Sequence, residues 1–210
     1  MKEIIDFFID AYTGTPVLFI VLEAIAFFFG IASVYYAQKE NIFVYPTGLV
    51  ATVITVYLLY KAAYFGDMAM NFYYSVMSIY GWYNWSRKKG DSKVVLISRT
   101  TTKEKVVGVL LCIATMVVTY MVYWFFGNQI RTENYVDIFT SGLFFTAMWY
   151  MAVKKIENWT LWIIADLITV PLYAYRGLGM LSLQYLIFTI LAIQGYLEWK
   201  KHLDKNPSVS

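Results

Sequence analysis

Residues 81–87 read Gly-Trp-Tyr-Asn-Trp-Ser-Arg, and residues 195–201 read Gly-Tyr-Leu-Glu-Trp-Lys-Lys. The two stretches share a glycine, an aromatic residue, a tryptophan and a basic residue at the same spacing, 114 positions apart, and each closes an apolar run. A second match, Glu-Asn followed by an apolar residue at 40–42 and at 157–159, lies 117 positions apart. We therefore predict an internal duplication whose second copy is three residues shorter. The missing residues correspond to part of the loop 61–67 in the first copy.

The composition places this duplicated unit in a lipid bilayer. Of the 210 residues, 60% are hydrophobic and 15% are charged, and the mean hydropathy is +0.54, which does not suit a water-soluble surface. A membrane-spanning helix needs about 20 mainly apolar residues. We predict an all-α integral membrane protein with seven transmembrane helices, at residues 17–36, 43–60, 68–85, 106–126, 136–153, 159–175 and 180–199.

Basic residues divide unequally between the two sides of these seven spans. All Lys and Arg except Lys2, Lys61, Arg131 and Arg176 fall on the side that also holds the C-terminus. Because basic loops remain in the cytoplasm, we predict an external N-terminus and a cytoplasmic C-terminus.

The repeated motifs close the third and seventh spans, so spans one to three correspond to spans five to seven. The fourth span separates the copies and gives them the same orientation, which predicts a 3+1+3 parallel repeat with its axis along the membrane normal. The predicted units are an N-terminal interfacial helix at 1–16, a first three-helix repeat at 17–89, a linker with the fourth helix at 90–130, a second three-helix repeat at 131–201 and a cytoplasmic tail at 202–210.

Several kinds of chemistry lack the residues that they need. The single histidine, His202, lies in the polar tail, and the single cysteine, Cys112, lies in an apolar run, so we expect no catalytic site, no metal and no cofactor. The net charge of +3 gives no argument for binding nucleic acid. Retinal binding would need a lysine inside the last span, which has none. A ligand-sensing receptor and a membrane enzyme remain alternatives to a transporter.

Polar side chains inside the apolar spans mark the candidate site, because an acid near the middle of the bilayer is costly. Asp166 is the strongest candidate, since Trp159, Trp162, Thr169 and Tyr173 share its helical face. An indole ring offers a stacking surface, and a carboxylate accepts from hydroxyl groups or balances a cation. This face of the sixth span therefore suits a flat organic molecule.

Other spans carry isolated polar groups with two possible roles. Glu23 in the first span either contacts a substrate or pairs with a neighbouring helix. Asn71 in the third span and Gln184 in the seventh either contact a substrate or form hydrogen bonds between helices.

Aromatic and basic residues at the cytoplasmic side are predicted to set the depth of the protein in the membrane. We expect Trp85 and Trp199, with Tyr83 and Tyr196, to be interfacial anchors rather than ligand contacts, so that Trp199→Phe has little effect. The basic segment 87–105 is predicted to be a solvated loop.

Longer motifs resemble one family of transporters. Residues 40–48 read Glu-Asn-x-x-Val-Tyr-Pro-x-Gly, and residues 157–173 read Glu-Asn-Trp-x-x-Trp-x-x-x-Asp-x-x-x-Val-Pro-Leu-Tyr. With them come Glu23 and Gly30, Gly-Asp-Met at 66–68, Ser-Ile-Tyr-Gly-Trp-Tyr at 78–83 and Gly-Leu at 177–178. From about residue 23 to residue 201, the chain resembles the PnuC family of bacterial vitamin-precursor transporters.

This resemblance implies a fold similar to that of the SWEET sugar transporters, assembled as a homotrimer in the bacterial inner membrane. It also implies facilitated diffusion of nicotinamide riboside for NAD biosynthesis, with trapping by a cytoplasmic ribosylnicotinamide kinase. Asn71 stands where many riboside carriers have Gln, so thiamine, riboflavin and deoxynucleosides are alternative substrates. The resemblance places the substrate among Asn71, Tyr74, Trp159, Trp162, Asp166, Gln184, Tyr185 and Phe188, and Glu23 is a further candidate.

Overall fold

Seven long helices form the protein in the computed structural model, which describes residues 13–62, 65–89, 92–126, 132–176 and 179–205. The all-helical prediction is confirmed, apart from one small hairpin in which β1 (Lys88–Lys89) pairs antiparallel with β2 (Ser92–Lys93). Residues 1–12, where the interfacial helix is predicted, lie outside the described residues. The helices are α1 (Val17–Gln38), α2 (Val44–Lys61), α3 (Phe65–Ser86), α4 (Thr102–Phe126), α5 (Thr132–Ala152), α6 (Glu157–Tyr175) and α7 (Gly179–Lys205).

Four of these helices, α1, α2, α4 and α7, are long and apolar enough to cross a membrane. The other three carry more polar groups, and in α5 several of these are buried inside the protein. A helix that contacts other helices tolerates such groups when they find hydrogen-bond partners. For example, the buried Thr146 hydroxyl lies 2.9 Å from the carbonyl of Gly142 and 3.2 Å from that of Gly108 on α4.

Six helices pack in a closed ring. Around it, α1 contacts α2, α2 contacts α3, α3 contacts α5, α5 contacts α6, α6 contacts α7, and α7 contacts α1. Helix α4 packs against α5 and exposes large apolar side chains along its length. We refer to α1–α3 as the first half and to α5–α7 as the second half. The halves meet along two seams, α3–α5 and α7–α1.

The α1–α2 and α5–α6 connections have the same backbone hydrogen bonds, 114 positions apart. The N–H of Asn41 donates to the carbonyl of Tyr36 at 2.9 Å, and the N–H of Lys155 donates to that of Tyr150 at 2.8 Å. A bond that reaches back five residues over a left-handed residue is the Schellman pattern of a helix end. The two connections are therefore built alike, and both lie at the end of the bundle that we call the basic end.

The left-handed residues of these two connections overturn the predicted offset of 117 positions. They are Glu40 and Lys154, with φ of 52° and 55°, and they too are 114 positions apart. Glu40 therefore corresponds to Lys154 in conformation and not to Glu157. The recurrence of Glu-Asn at 40–41 and 157–158 is a coincidence of sequence, and between these connections and the α3 and α7 motifs the second half is not three residues shorter.

The basic segment before α4 is folded against the α5–α6 connection, so the prediction of a merely solvated loop is wrong. Ser98 pairs with this connection through two backbone hydrogen bonds. Its N–H donates to the Lys154 carbonyl at 3.1 Å, and its carbonyl accepts from the Ile156 N–H at 3.0 Å. The Lys155 ammonium lies 2.9 Å from the Glu104 carboxylate. Ile97 is buried in the same contact. An apolar anchor and paired charges therefore hold this segment in place.

Trp85 and Trp199 are buried in the core, and their prediction as interfacial anchors is wrong. Their exposed fractions are 6% and 0%. The Trp85 indole N–H donates to the Met151 carbonyl across the α3–α5 seam at 3.2 Å, and that of Trp199 donates to the Ala37 carbonyl across the α7–α1 seam at 3.1 Å. Donors and acceptors are both 114 positions apart, so the repeated tryptophan makes the same contact at both seams.

Two further rings complete this core at the basic end. Tyr45 lies against Gly81 and Trp159 against Gly195, at such short range that a Cβ on either glycine would come within 3 Å of the ring. The glycines of the two repeated motifs thus leave room for one buried ring each. We call Tyr45, Trp85, Trp159 and Trp199 the basic-end cluster.

Candidate functional site

The interior face of α6 carries the candidate acid. The buried residues of α6, at positions 158, 159, 165, 166, 169 and 172, share one helical face, and Asp166 stands at the middle of the helix. Glu157 in the first turn suits the positive end of the helix dipole, and its carboxylate accepts from the Thr100 N–H at 3.0 Å. The carboxyl group of Asp166 is therefore presented inside the bundle, far from both helix ends.

Asp166 is 1% exposed, and its Oδ1 has no hydrogen-bond partner among the described residues. The nearest hydroxyl on the same face, that of Thr169, lies 2.8 Å from the Ala165 carbonyl and satisfies its own helix. A buried carboxylate oxygen without a partner is costly, because its hydration is lost without replacement. This oxygen is free to accept a hydrogen bond from a ligand or to face a cation.

Trp162, one turn before Asp166, belongs to a chain of aromatic rings that come from four helices. The Trp162 ring lies 6.2 Å from Tyr74 on α3 and 5.4 Å from Phe144 on α5, and Phe144 lies 5.9 Å from Tyr185 on α7. Trp162 is half-buried, whereas Phe144 is buried. The structure therefore brings three predicted site residues, Tyr74, Trp162 and Tyr185, into one chain of ring contacts beside Asp166.

Phe144 was not among the predicted site residues, although it contacts both Trp162 and Tyr185. Its equivalent in the first half, 114 positions earlier, is Gly30. A phenylalanine in an apolar span carries no polar signal, so sequence reasoning had no ground to select it. Its pairing with a glycine of the first half could have drawn attention to it.

Predicted residues on α7 lie across the α7–α1 seam from Gly30. A Cβ on Gly30 would stand 3.5 Å from the Phe188 ring and 3.7 Å from the Gln184 amide nitrogen. Phe188 also contacts Tyr185, with ring centres 6.0 Å apart. These side chains therefore continue the aromatic chain from Trp162 to α1 and bring an amide group to its edge.

The remaining predicted residues are placed differently. Asn71 is half-buried on α3, one turn before Tyr74, and Glu23 is half-buried on α1. Trp159 is fully buried in the basic-end cluster, where its ring faces Trp199 at 5.5 Å and not the rings around Trp162. Their contact with substrate stays a prediction.

A second polar cluster, at the opposite end of the bundle, was missed from the sequence. The Arg176 guanidinium contacts Asp137 through two nitrogens, at 2.6 and 3.2 Å, and the Tyr123 hydroxyl lies 3.0 Å from the same carboxylate. The cluster ties α4, α5 and the end of α6 together. Among the residues that the structure describes, no group of three or more His, Cys, Asp or Glu side chains could hold a metal ion.

Together, the long apolar helices and the buried acid and aromatic rings between them are features of a multi-pass membrane protein. Residues 20–201 match the model of the nicotinamide mononucleotide transporter family, so the chain belongs to this family of membrane transporters. The predicted kinship with the PnuC transporters is thereby confirmed.

Individual relatives are distant but cover most of the chain. The nicotinamide riboside transporter PnuC of Escherichia coli K12 is 26% identical in an alignment of 201 positions that covers 85% of this chain and 84% of that protein. That of Neisseria mucosa is 25% identical and covers 88% of this chain and 74% of its own. The riboflavin/roseoflavin transporter RibM of Streptomyces davaonensis is 24% identical, with 62% of this chain and 63% of that protein covered.

A solved structure shows the same fold. The crystal structure of the vitamin B3 transporter PnuC superimposes with a TM-score of 0.71, covers 93% of this chain and 86% of its own, and is 22% identical.

Proposed function

We propose that the protein carries nicotinamide riboside across the bacterial inner membrane by facilitated diffusion. Two relatives that cover more than four fifths of this chain are named for this substrate. The observation in the structure that carries the proposal is the Asp166 oxygen, which has no hydrogen-bond partner in the described part of the chain, one turn from the half-buried Trp162 ring. Together they offer a cationic aromatic ring both a stacking face and a counter-charge.

The chemistry of this site favours the riboside over its phosphorylated form. A pyridinium ring over an indole gains about 2 kcal/mol when desolvated. Asp166, Asn71 and Gln184 offer hydrogen-bond partners to the ribose hydroxyls. A phosphate group would instead bring negative charge toward a buried carboxylate, and the ring contacts around Trp162 come from apolar and tyrosine side chains. Like charges in a medium of low polarity repel strongly.

The 3+1+3 parallel-repeat architecture is part of the same proposal. It is supported by the order of helices in the ring, in which each contact of the first half has a counterpart in the second half. It is also supported by the equivalent hydrogen bonds 114 positions apart at both connections and both seams. The basic end then faces the cytoplasm with the C-terminus, and the N-terminus lies outside. We extend the proposal to a homotrimer, as the family resemblance implies.

A carrier of this kind only equilibrates its substrate, so accumulation needs a later reaction. Phosphorylation by a cytoplasmic kinase would convert the riboside into an anion that the site rejects. The proposal is tested with purified protein in liposomes. Labelled nicotinamide riboside should enter and leave at similar rates without any proton or sodium gradient. Strict dependence on either gradient would refute uniport, and absence of flux would refute transport of the riboside.

A second candidate substrate is another flat vitamin or nucleoside, with thiamine as the first alternative. Thiamine is also a flat cation, so stacking and charge do not separate it from the riboside, and one relative is named for riboflavin and roseoflavin. Specificity in such a site depends on a few placed hydrogen bonds. Competition decides between them: excess thiamine, riboflavin or a deoxynucleoside should leave riboside uptake unchanged, and strong inhibition by one of them would reassign the substrate.

A further inference from the structure

A buried ion pair joins the two halves at the basic end. Nζ of Lys154, in the α5–α6 connection, lies 2.5 Å from Oε1 of Glu40, in the α1–α2 connection. Their side chains are 1% and 15% exposed, so water screens the pair little. The two residues are equivalent, 114 positions apart and with the same left-handed backbone. Each half thus contributes one charge from the same turn.

The same ammonium group lies over the basic-end cluster. Nζ of Lys154 is 4.5 Å from the centre of the Trp85 ring, within the range of a cation–π interaction. Trp85 contacts Tyr45 at 5.1 Å and Trp199 at 6.1 Å, and Trp199 contacts Trp159 at 5.5 Å. The ion pair and the four buried rings therefore form one connected layer that includes residues of both halves.

This layer stands at the basic end of the bundle, on that side of the candidate site. Trp159 precedes Asp166 by seven residues on α6, which is about 10 Å along a helix. Beyond Trp85, a pocket of about 370 Å³ is lined by both members of the ion pair and by Ile42, Ser86 and Lys88. All four rings are buried, on the side of Asp166 that faces this pocket.

We propose that Glu40 and Lys154 are gate residues, which hold the basic end closed and separate each time the substrate passes. The inference rests on the proposed transport function. It follows from the position of the pair, because the two connections that it joins belong to opposite halves and the same ammonium group contacts the Trp85 ring. A buried ion pair adds little net stability compared with apolar packing. Its charges are readily hydrated from the adjoining pocket once the layer opens, so the bond suits reversible opening.

The test measures how fast a water-soluble reagent reaches a buried position on the side of the layer away from the basic end. Ala192 is 2% exposed in the core on α7, two turns before Trp199. In the full chain with Cys112→Ser, an Ala192→Cys substitution provides one thiol for a membrane-impermeant maleimide in right-side-out and inside-out vesicles. Glu40→Gln or Lys154→Met should speed labelling from the basic side by at least about fivefold, the lower range of a typical coupling between two states.

Matched variants separate a gate from general loosening. Lys155→Met breaks the neighbouring ion pair with Glu104, which does not join the two halves, and should leave labelling at the unsubstituted rate. Lys154→Arg keeps the positive charge and should also be labelled at the unsubstituted rate. The charge swap, Glu40→Lys together with Lys154→Glu, should restore slow labelling. Unchanged labelling in Glu40→Gln and Lys154→Met, or equal acceleration by Lys155→Met, would overturn the proposal.

Labelling needs no substrate, so its result stands even if the riboside is the wrong ligand. A transport assay gives the second readout. The gate variants should change the maximal rate of uptake while the affinity of equilibrium binding stays the same, because neither residue is placed in the substrate site. A parallel loss of binding affinity would instead make the pair part of that site and would contradict its assignment as a gate.

Discussion

At the scale of single residues, Trp85 and Trp199 contact protein rather than lipid. Trp85 and Trp199 stand next to basic residues, a context that in sequence favours the membrane interface, yet both are buried and donate hydrogen bonds across the seams. An indole ring with one polar edge suits both environments, so composition alone does not separate them. Asp166 was easier to predict, because a lone acid in the middle of an apolar span has few roles.

The burial of Trp199 reverses the expectation that Trp199→Phe has little effect. The smaller ring leaves a cavity beside Trp159 and Trp85, and the Ala37 carbonyl loses the indole N–H as a donor and keeps that of Glu40. We expect the free energy of unfolding to fall by about 1–3 kcal/mol. Thermal unfolding of the purified protein measures this loss, and Tyr83→Phe, at a 68% exposed position, is the control and should leave the midpoint unchanged. Equal midpoints in all three proteins would show that the burial of Trp199 is not important for stability.

At the scale of the helices, apolar runs predicted all seven elements, and the seams and connections were harder. The fourth span was predicted at 106–126, and α4 covers Thr102–Phe126, which differs mainly in a polar first turn that hydropathy does not detect. The docking of residues 97–98 joins them to a connection almost 60 residues away, which a basic composition does not reveal. The misplaced three-residue deletion came from a short Glu-Asn match that backbone conformation does not support.

The junction of α4, α5 and α6 depends on the Asp137–Arg176 pair. Arg176→Met would leave Asp137 partly buried without its cation, so we expect a loss of about 1–3 kcal/mol in the free energy of unfolding. Asp137→Asn in the same chain should recover part of this loss, because the unpaired charge is removed. Lys201→Met, which breaks an exposed pair with Glu198, is the control and should cost well under 1 kcal/mol. A loss as large in the control would exclude a special role for this junction.

At the scale of the whole molecule, equivalent helices carry different chemistry. The positions of Trp162 and Asp166 on α6 correspond to Gly48 and Thr52 on α2, 114 residues earlier. There, a Cβ on Gly48 would stand 2.8 Å from the Ser33 hydroxyl, and Ser75 donates to Thr52 at 2.8 Å, so α2 is packed closely at Gly48 and the Thr52 hydroxyl is paired. The two halves are thus alike in their connections and seams, and the second half supplies the ring and the charge of the candidate site.

The central claim is that Asp166 and Trp162 bind a flat cationic substrate inside the bundle, and equilibrium binding tests it most directly. Titration of the purified full-length protein with nicotinamide riboside should show saturable binding. Asp166→Asn should weaken it by at least about tenfold, or about 1.4 kcal/mol, and Trp162→Ala should weaken it to a similar extent. Leu167→Ala, at an exposed neighbouring position on α6, should bind like the unsubstituted protein. Undiminished binding by the Asp166 and Trp162 variants would contradict the account.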